Sequence, residues 1–255
     1  MPRIAHLLFA LAVIAVPAVG WFAADWSGAT TLAVYWFETS AGCLFIAARV
    51  LVHRRWVPCR GHFSYAAPAA ERRTSPRESF LAGFATSSLA FCAVHAIFLV
   101  AIFFVLHRTG NAAMAEIDWR SVEFGCLSVS LFLALEFVLD LLTLRRWSFR
   151  QIEMLAQRGL SRIVVVHVTL VAGFIGIALT DAPDALFGVF VVLKSLAALS
   201  AAVPQWEPAT APRALSRVMN RVPNVRHGPS FEESWAQERV GESARRSKNE
   251  QPSRR

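Results

Sequence analysis

Apolar residues come in blocks along this chain rather than in alternation, and six of the blocks are long enough to cross a bilayer. They fall near 4–24, 28–52, 79–106, 121–143, 162–180 and 184–203. At about 1.5 Å of rise per residue, each covers a hydrocarbon core of about 30 Å as a helix. The expected fold class is all-α: a polytopic integral membrane helix bundle of about six transmembrane helices within residues 1–203. The connection from His53 to Ser79 carries Pro58, Pro68 and Pro76 and is expected to be irregular. Residues 204–255 are expected to form a basic, mostly disordered cytoplasmic tail, because Pro, Gly, Ser, Arg and Glu dominate from Pro223 onward, apart from Phe231 and Trp235. Near 212–222, Arg213, Arg217 and Arg221 recur at i, i+4 and i+8, while Leu215, Val218, Met219 and Val222 share another face. That pattern fits either a short helix on an anionic leaflet or a solvated juxtamembrane segment.

Composition agrees with the block pattern: 55% of the 255 residues are hydrophobic, more than a soluble core of this size requires. The formal charge of +8 could suggest a nucleic-acid partner, but the basic residues lie between the apolar blocks and in the tail. No nucleic acid is expected. Arg54, Arg55, Arg60, Arg72, Arg73 and Arg77 occupy one connection, and Arg145, Arg146, Arg150, Arg158 and Arg162 another. The opposite connections hold Asp25, then Arg108 and Arg120 balanced by Glu116 and Asp118, then a 180–184 turn without a base. The positive-inside rule then puts both termini in the cytoplasm of a cell-membrane protein, with the bilayer and its anionic head groups as partners. Arg3 before an apolar run resembles a signal peptide, but the run from Ile4 to Ala24 is longer than such a region and reads as an uncleaved helix. Cys43, Cys92 and Cys126 fall in the blocks and Cys59 in a basic connection, without metal-ligand spacing, and read as small core residues.

The informative residues are the ionisable ones inside the blocks: Glu38, His95, Glu136, Asp140, His167 and Lys194. A charge at the bilayer centre costs on the order of 2.5–3.5 kcal/mol on insertion scales, so several of them imply a buried polar site. By helical rise Glu38 and Lys194 share a depth near the midplane, and they are expected to pair, as a structural lock or as a working pair. His95 lies near that level, with hydrogen bonding into the pair, neutral packing or ligation as its open roles. Glu136, Asp140 and His167 form an inner layer roughly 5–11 Å from the cytoplasmic edge. Glu136 and Asp140 share a helix face. Asp140 is expected to meet water or Arg145 and Arg146, Arg162 to anchor at the head groups, and His167 to turn toward Glu136.

Bis-histidine haem is disfavoured because His95 and His167 differ in depth by roughly 10 Å or more. No cofactor or metal is expected. No HExxH, GxSxG, P-loop or GxGxxG occurs in the sequence, which leans against an enzyme.

The run Trp26-Ser27 followed by Leu32-Ala33-Val34-Tyr35-Trp36-Phe37-Glu38, preceded by Pro17 and Gly20, resembles the opening signature of a prokaryotic multi-pass membrane family, domain of unknown function 6498. His95 with Phe91 and Phe98, Arg162-Ile163 with His167, and Lys194 match its later signatures. Ser87 stands where the family has a first histidine, Gly159-Leu160 replaces a Pro-Tyr, and Ala198 replaces an acidic residue. The resemblance covers about residues 15–200 and implies a site built on Tyr35, Trp36, Glu38, His95, Arg162, His167 and Lys194. It names no reaction. Three functions are weighed: a small-solute or ion pathway, proton-coupled in one form; a non-catalytic scaffold or complex subunit; and a membrane-embedded metal or redox enzyme.

Overall fold

The computed structural model describes residues 2–68, 79–108, 116–180, 188–189, 191–196, 199, 208, 210–220 and 230–253. Among them the architecture is all-helical, with one isolated antiparallel bridge between Cys59 and Pro252. The helices are α1 (Pro2–Ala23), α2 (Gly28–Trp56), α3 (Arg60–Phe63), α4 (Phe80–Arg108), α5 (Trp119–Thr143), α6 (Phe149–Thr180), α7 (Arg213–Met219) and α8 (Phe231–Glu250). A 3₁₀ turn, Leu144–Arg146, joins α5 to α6. Three helical stretches, Gly28–Trp56, Phe80–Phe104 and Trp119–Arg146, are long and apolar enough to cross a membrane. Of the block near 184–203, residues 188–189, 191–196 and 199 are described, and all are helical.

Two compact units divide the chain: residues 1–57 with 81–203, and residues 58–80 with 204–255. In the first, α2 runs through the interior in contact with α1, α5 and α6. Its buried residues include Thr30, Thr31, Glu38, Thr39, Arg49 and His53, so its polar side chains face protein. The peripheral helices are inverted. Ile97 and Val100 on α4 and Phe124, Leu127 and Leu142 on α5 are among a long series of exposed large apolar side chains, about two-thirds or more accessible. A surface of that kind is unsuited to water and suited to lipid.

The α1–α2 corner is set by local chemistry. Asp25 takes the left-handed region at φ 50° and ends α1, and the Trp26 N–H returns to the Gly20 carbonyl at 2.9 Å. Ser27 then caps α2, its hydroxyl accepting from the Thr30 N–H at 3.1 Å. Trp26 lies so close over Gly20 that a Cβ there would overlap the indole ring, and a Cβ on Gly125 would come within 2.8 Å of Val34 and 2.9 Å of Trp26. These two glycines let α1, α2 and α5 approach. At the other end of α2, His53 Nε2 lies 3.0 Å from the Trp147 carbonyl, fixing the helix to the turn after α5.

In the second unit, part of the tail expected to be mostly disordered is the helix α8, while in the connection residues 60–63 are helical, 64–68 are irregular and 69–78 lie outside the described residues. Ser230 and Glu233 form a reciprocal capping box that starts α8. Glu242 bonds Arg245 at 2.6 Å and Arg246 at 2.7 Å one turn on. α8 packs on α3 and touches α7. Arg245 Nη1 donates to the Ala66 carbonyl at 3.0 Å, and Asn249 exchanges hydrogen bonds with Ala66 at 3.0 and 3.1 Å. The 58–66 segment and the tail helix thus fold as one module, held by polar contacts that composition alone does not reveal. Residues 213–219 of the suggested 212–222 helix are helical, whereas Arg221 and Val222 lie outside the described residues, as do Arg72, Arg73 and Arg77.

Gly20→Ala and Gly125→Ala are each expected to lower the apparent melting temperature in detergent, at a cost of about 1–3 kcal/mol from overpacking. The Arg245 guanidinium holds the Glu242 carboxyl at about 2, below its ordinary 4.5. Because the folded-state value is the lower one, this contribution is complete above the ordinary value and disappears as pH falls through about 2. Amide protection across 231–250, corrected for intrinsic exchange, should therefore exceed that of a Glu242→Gln variant at pH 6, and the difference should vanish near pH 2.

Candidate functional site

α2 places Tyr35 and Glu38 three residues apart, on one face and one turn from each other. Glu38 is 1% exposed. Its Oε2 accepts from Lys194 Nζ at 2.6 Å, and its Oε1 is ion-paired with Arg162 Nη2. Three elements meet there: α2 brings the carboxylate, α6 the guanidinium, and the helical residues 191–196 the ammonium. Lys194 also lies over the Tyr35 ring, with Nζ 3.2 Å from its centroid, a cation–π contact that covers one side of the charge. Lys194 is enclosed, whereas the Arg162 side chain is 30% exposed. The carboxylate is thus divided between two cations: the whole Lys194 side chain is sealed, and the Arg162 side chain is partly exposed while its pairing Nη2 is buried.

Trp36, next to Tyr35, donates its indole N–H to the Cys92 carbonyl at 3.0 Å and ties α2 to α4. His95 is buried on α4, one turn past Cys92. Leu32, Tyr35, Leu99, Ile102 and Val191 form the apolar packing beside Lys194.

A second buried charge cluster lies three helical turns along α2, about 16 Å from the first by helical rise. Arg49 Nε donates to Asp140 Oδ2 at 2.6 Å, Nη2 lies 3.4 Å from Glu136 Oε2, and the guanidinium stands over Phe137 at 5.5 Å. Asp140 is buried and Glu136 partly exposed. Glu136 shares Arg49 with Asp140. Two expectations are corrected here. Asp140 meets Arg49 in the interior, because α2 and α5 pack along their length and bring the two side chains face to face. Arg162 turns to Glu38 instead of the head groups, since a buried carboxylate recruits the long cation within reach. His167 lies on α6, but its side chain is outside the described residues.

Sequence reasoning passed over Arg49. The signal was present: eleven residues is close to three whole turns, so Glu38 and Arg49 share a face of α2. Among the described residues, no group of three or more His, Cys, Asp or Glu side chains is arranged to hold a metal ion.

A family model described as a family of unknown function, DUF6498, matches residues 1–215. The chain belongs to the DUF6498 family. No curated protein and no solved structure matches it. Both charge clusters of this DUF6498 protein lie within the matched residues, whereas α8 lies beyond them.

Replacing Arg49 by Met should remove the cation that Asp140 and Glu136 share and cost about 3–5 kcal/mol, read as a large fall in apparent melting temperature. Adding Asp140→Asn to that variant should restore part of the loss. An additive double mutant would show that the pair is not coupled.

Proposed function

We propose that this protein is a six-span bundle of the cell membrane with both termini in the cytoplasm, and that Glu38, Arg162 and Lys194 form the polar centre of a small-solute or ion pathway. The observation that carries this reading is the division of one enclosed carboxylate between cations from two other elements. A carboxylate with two partners has an alternative one whenever either cation moves, and exchange of partners is the elementary step of access from opposite sides. The partial exposure of Arg162 beside the sealed Lys194 supports the same reading. Tyr35 and Trp36 hold the site's shape, and Arg49, Glu136 and Asp140 form a second charged station closer to the cytoplasmic end of α2.

The charge alternation of the connections supports the orientation, and their arginines would meet anionic head groups. The scaffold alternative draws on the second cluster, where Arg49 and Asp140 lock α2 to α5 with good geometry. It predicts that the polar groups set folded yield alone. An enzyme reading has less support, since among the described residues no group of three or more His, Cys, Asp or Glu is arranged to hold a metal ion.

Glu38→Gln keeps the shape of the side chain and removes its charge. Reconstituted in vesicles with an internal pH dye, the wild-type protein should carry solute- or proton-dependent flux, and the folded variant should lose it. Wild-type flux retained in Glu38→Gln would remove the pathway reading, and a flux-free wild type whose Glu38→Ala variant only loses folded yield would favour the scaffold.

A further inference from the structure

The cysteines are free thiols, and two of them meet between helices: the Cys43 and Cys92 side chains are in hydrogen-bond contact. Backbone geometry supports the pairing. Trp36 and Cys43 are seven residues apart, two turns along one face of α2, and the Trp36 indole N–H reaches the Cys92 carbonyl at 3.0 Å. In a helix the carbonyl points toward the C-terminus and the side chain toward the N-terminus, so Cys92 of α4 serves both positions of α2. Cys43 is buried, whereas Cys92 is partly exposed on a helix whose Leu89, Val94 and Ile97 are exposed. An apolar molecule dissolved in a bilayer can therefore reach one sulfur of the pair, and the other is in contact with it.

We propose that Cys43 and Cys92 form a closable crosslink between α2 and α4, oxidised to a disulfide by lipid peroxyl radicals. Oxidation by a polar oxidant proceeds through a thiolate, which an apolar medium disfavours. Abstraction of a hydrogen atom needs no ionisation. Each of two peroxyl radicals takes one hydrogen atom, breaking an S–H bond and forming the O–H bond of a lipid hydroperoxide. The two sulfur radicals then combine, and the new S–S bond uses both unpaired electrons. Two thiols and two peroxyl radicals thus give one disulfide and two hydroperoxides, with no proton or electron left over. The sulfurs must move from contact to bonding distance, so α4 draws toward α2 where the Trp36 hydrogen bond already holds it. Cys43 lies five residues past Glu38, so closure fastens α4 to the stretch of α2 that follows the charge centre.

The test uses the full chain reconstituted in vesicles under air. A lipid-soluble azo initiator supplies the peroxyl radicals, and a water-soluble one at equal radical flux is the comparison. Unreduced peptide maps should show the Cys43 peptide joined to the Cys92 peptide. Both thiols should be lost to alkylation after denaturation and restored by dithiothreitol. The water-soluble initiator should leave most of both thiols open. Cys126 is also partly exposed and should enter no linked peptide. The closed protein should melt at a higher temperature than the reduced one, and Cys43→Ser should abolish both the link and that rise. The wild-type maps decide the matter even where the variant fails to fold, and they do not depend on flux through the protein. Intact thiols after lipid hydroperoxide has accumulated, oxidation of the two sulfurs to separate oxyacids, or equal linking by the two initiators would each overturn the proposal.

Discussion

A carboxylate enclosed by apolar helices must be partnered, and the rest of this structure is arranged around that requirement at Glu38. Insertion of one unpaired charge costs on the order of 2.5–3.5 kcal/mol, comparable to the loss of a buried leucine. Lys194 and Arg162 meet the need from two different elements, so the pairing also fixes the positions of α6 and residues 191–196 against α2. Hydrophobic attraction alone would not fix them, because it carries no direction. Polar geometry and close packing take its place. The small surfaces of Gly20 and Gly125 admit Trp26 and Val34, and the Trp36 indole reaches the Cys92 carbonyl across to α4.

The same logic explains why α2 differs from its neighbours. It is less apolar than α4 and α5, yet it is the helix most enclosed by protein. In water such a composition would mark a surface helix. Here the polar side chains turn inward, because their partners are on other helices, and the outer surface is left to α4 and α5 with their exposed Leu, Val, Ile and Phe. α2 is thus a polar spine carrying Glu38 and Arg49 on one face.

The legible part of this arrangement was the part governed by desolvation. Glu38 and Lys194 stand out in hydrocarbon whatever the packing, and helical rise alone puts them at one depth. Arg162 was harder, because an arginine near the end of an apolar block can equally snorkel to the head groups, and only the approach of α6 to α2 decides. Asp140 poses the same difficulty: depth alone allows water or Arg145 and Arg146, and only the packing of α2 on α5 brings Arg49 to it. The tail shows a different gap. Its composition reads as disorder, yet Ser230 and Glu233 have capping-box spacing, and Glu242 precedes Arg245 and Arg246 by three and four residues. Local pattern there outweighs composition, and the docking of Asn249 and Arg245 onto Ala66 depends on chain-distant backbone that no local pattern encodes.

The distribution of charge separates two tasks within one chain. The clusters on α2 lie in the DUF6498-matched residues and use cations that are buried, partnered and held by geometry. The cations of α8 make short-range pairs of the ordinary surface kind, Arg246 with Glu242 and Arg239 over Trp235, and one deeper contact through Arg245. Surface pairs weaken with salt and acid, whereas buried ones are screened far less. A change in ionic conditions at the tail can therefore loosen the 58–66 module while leaving the Glu38 centre intact.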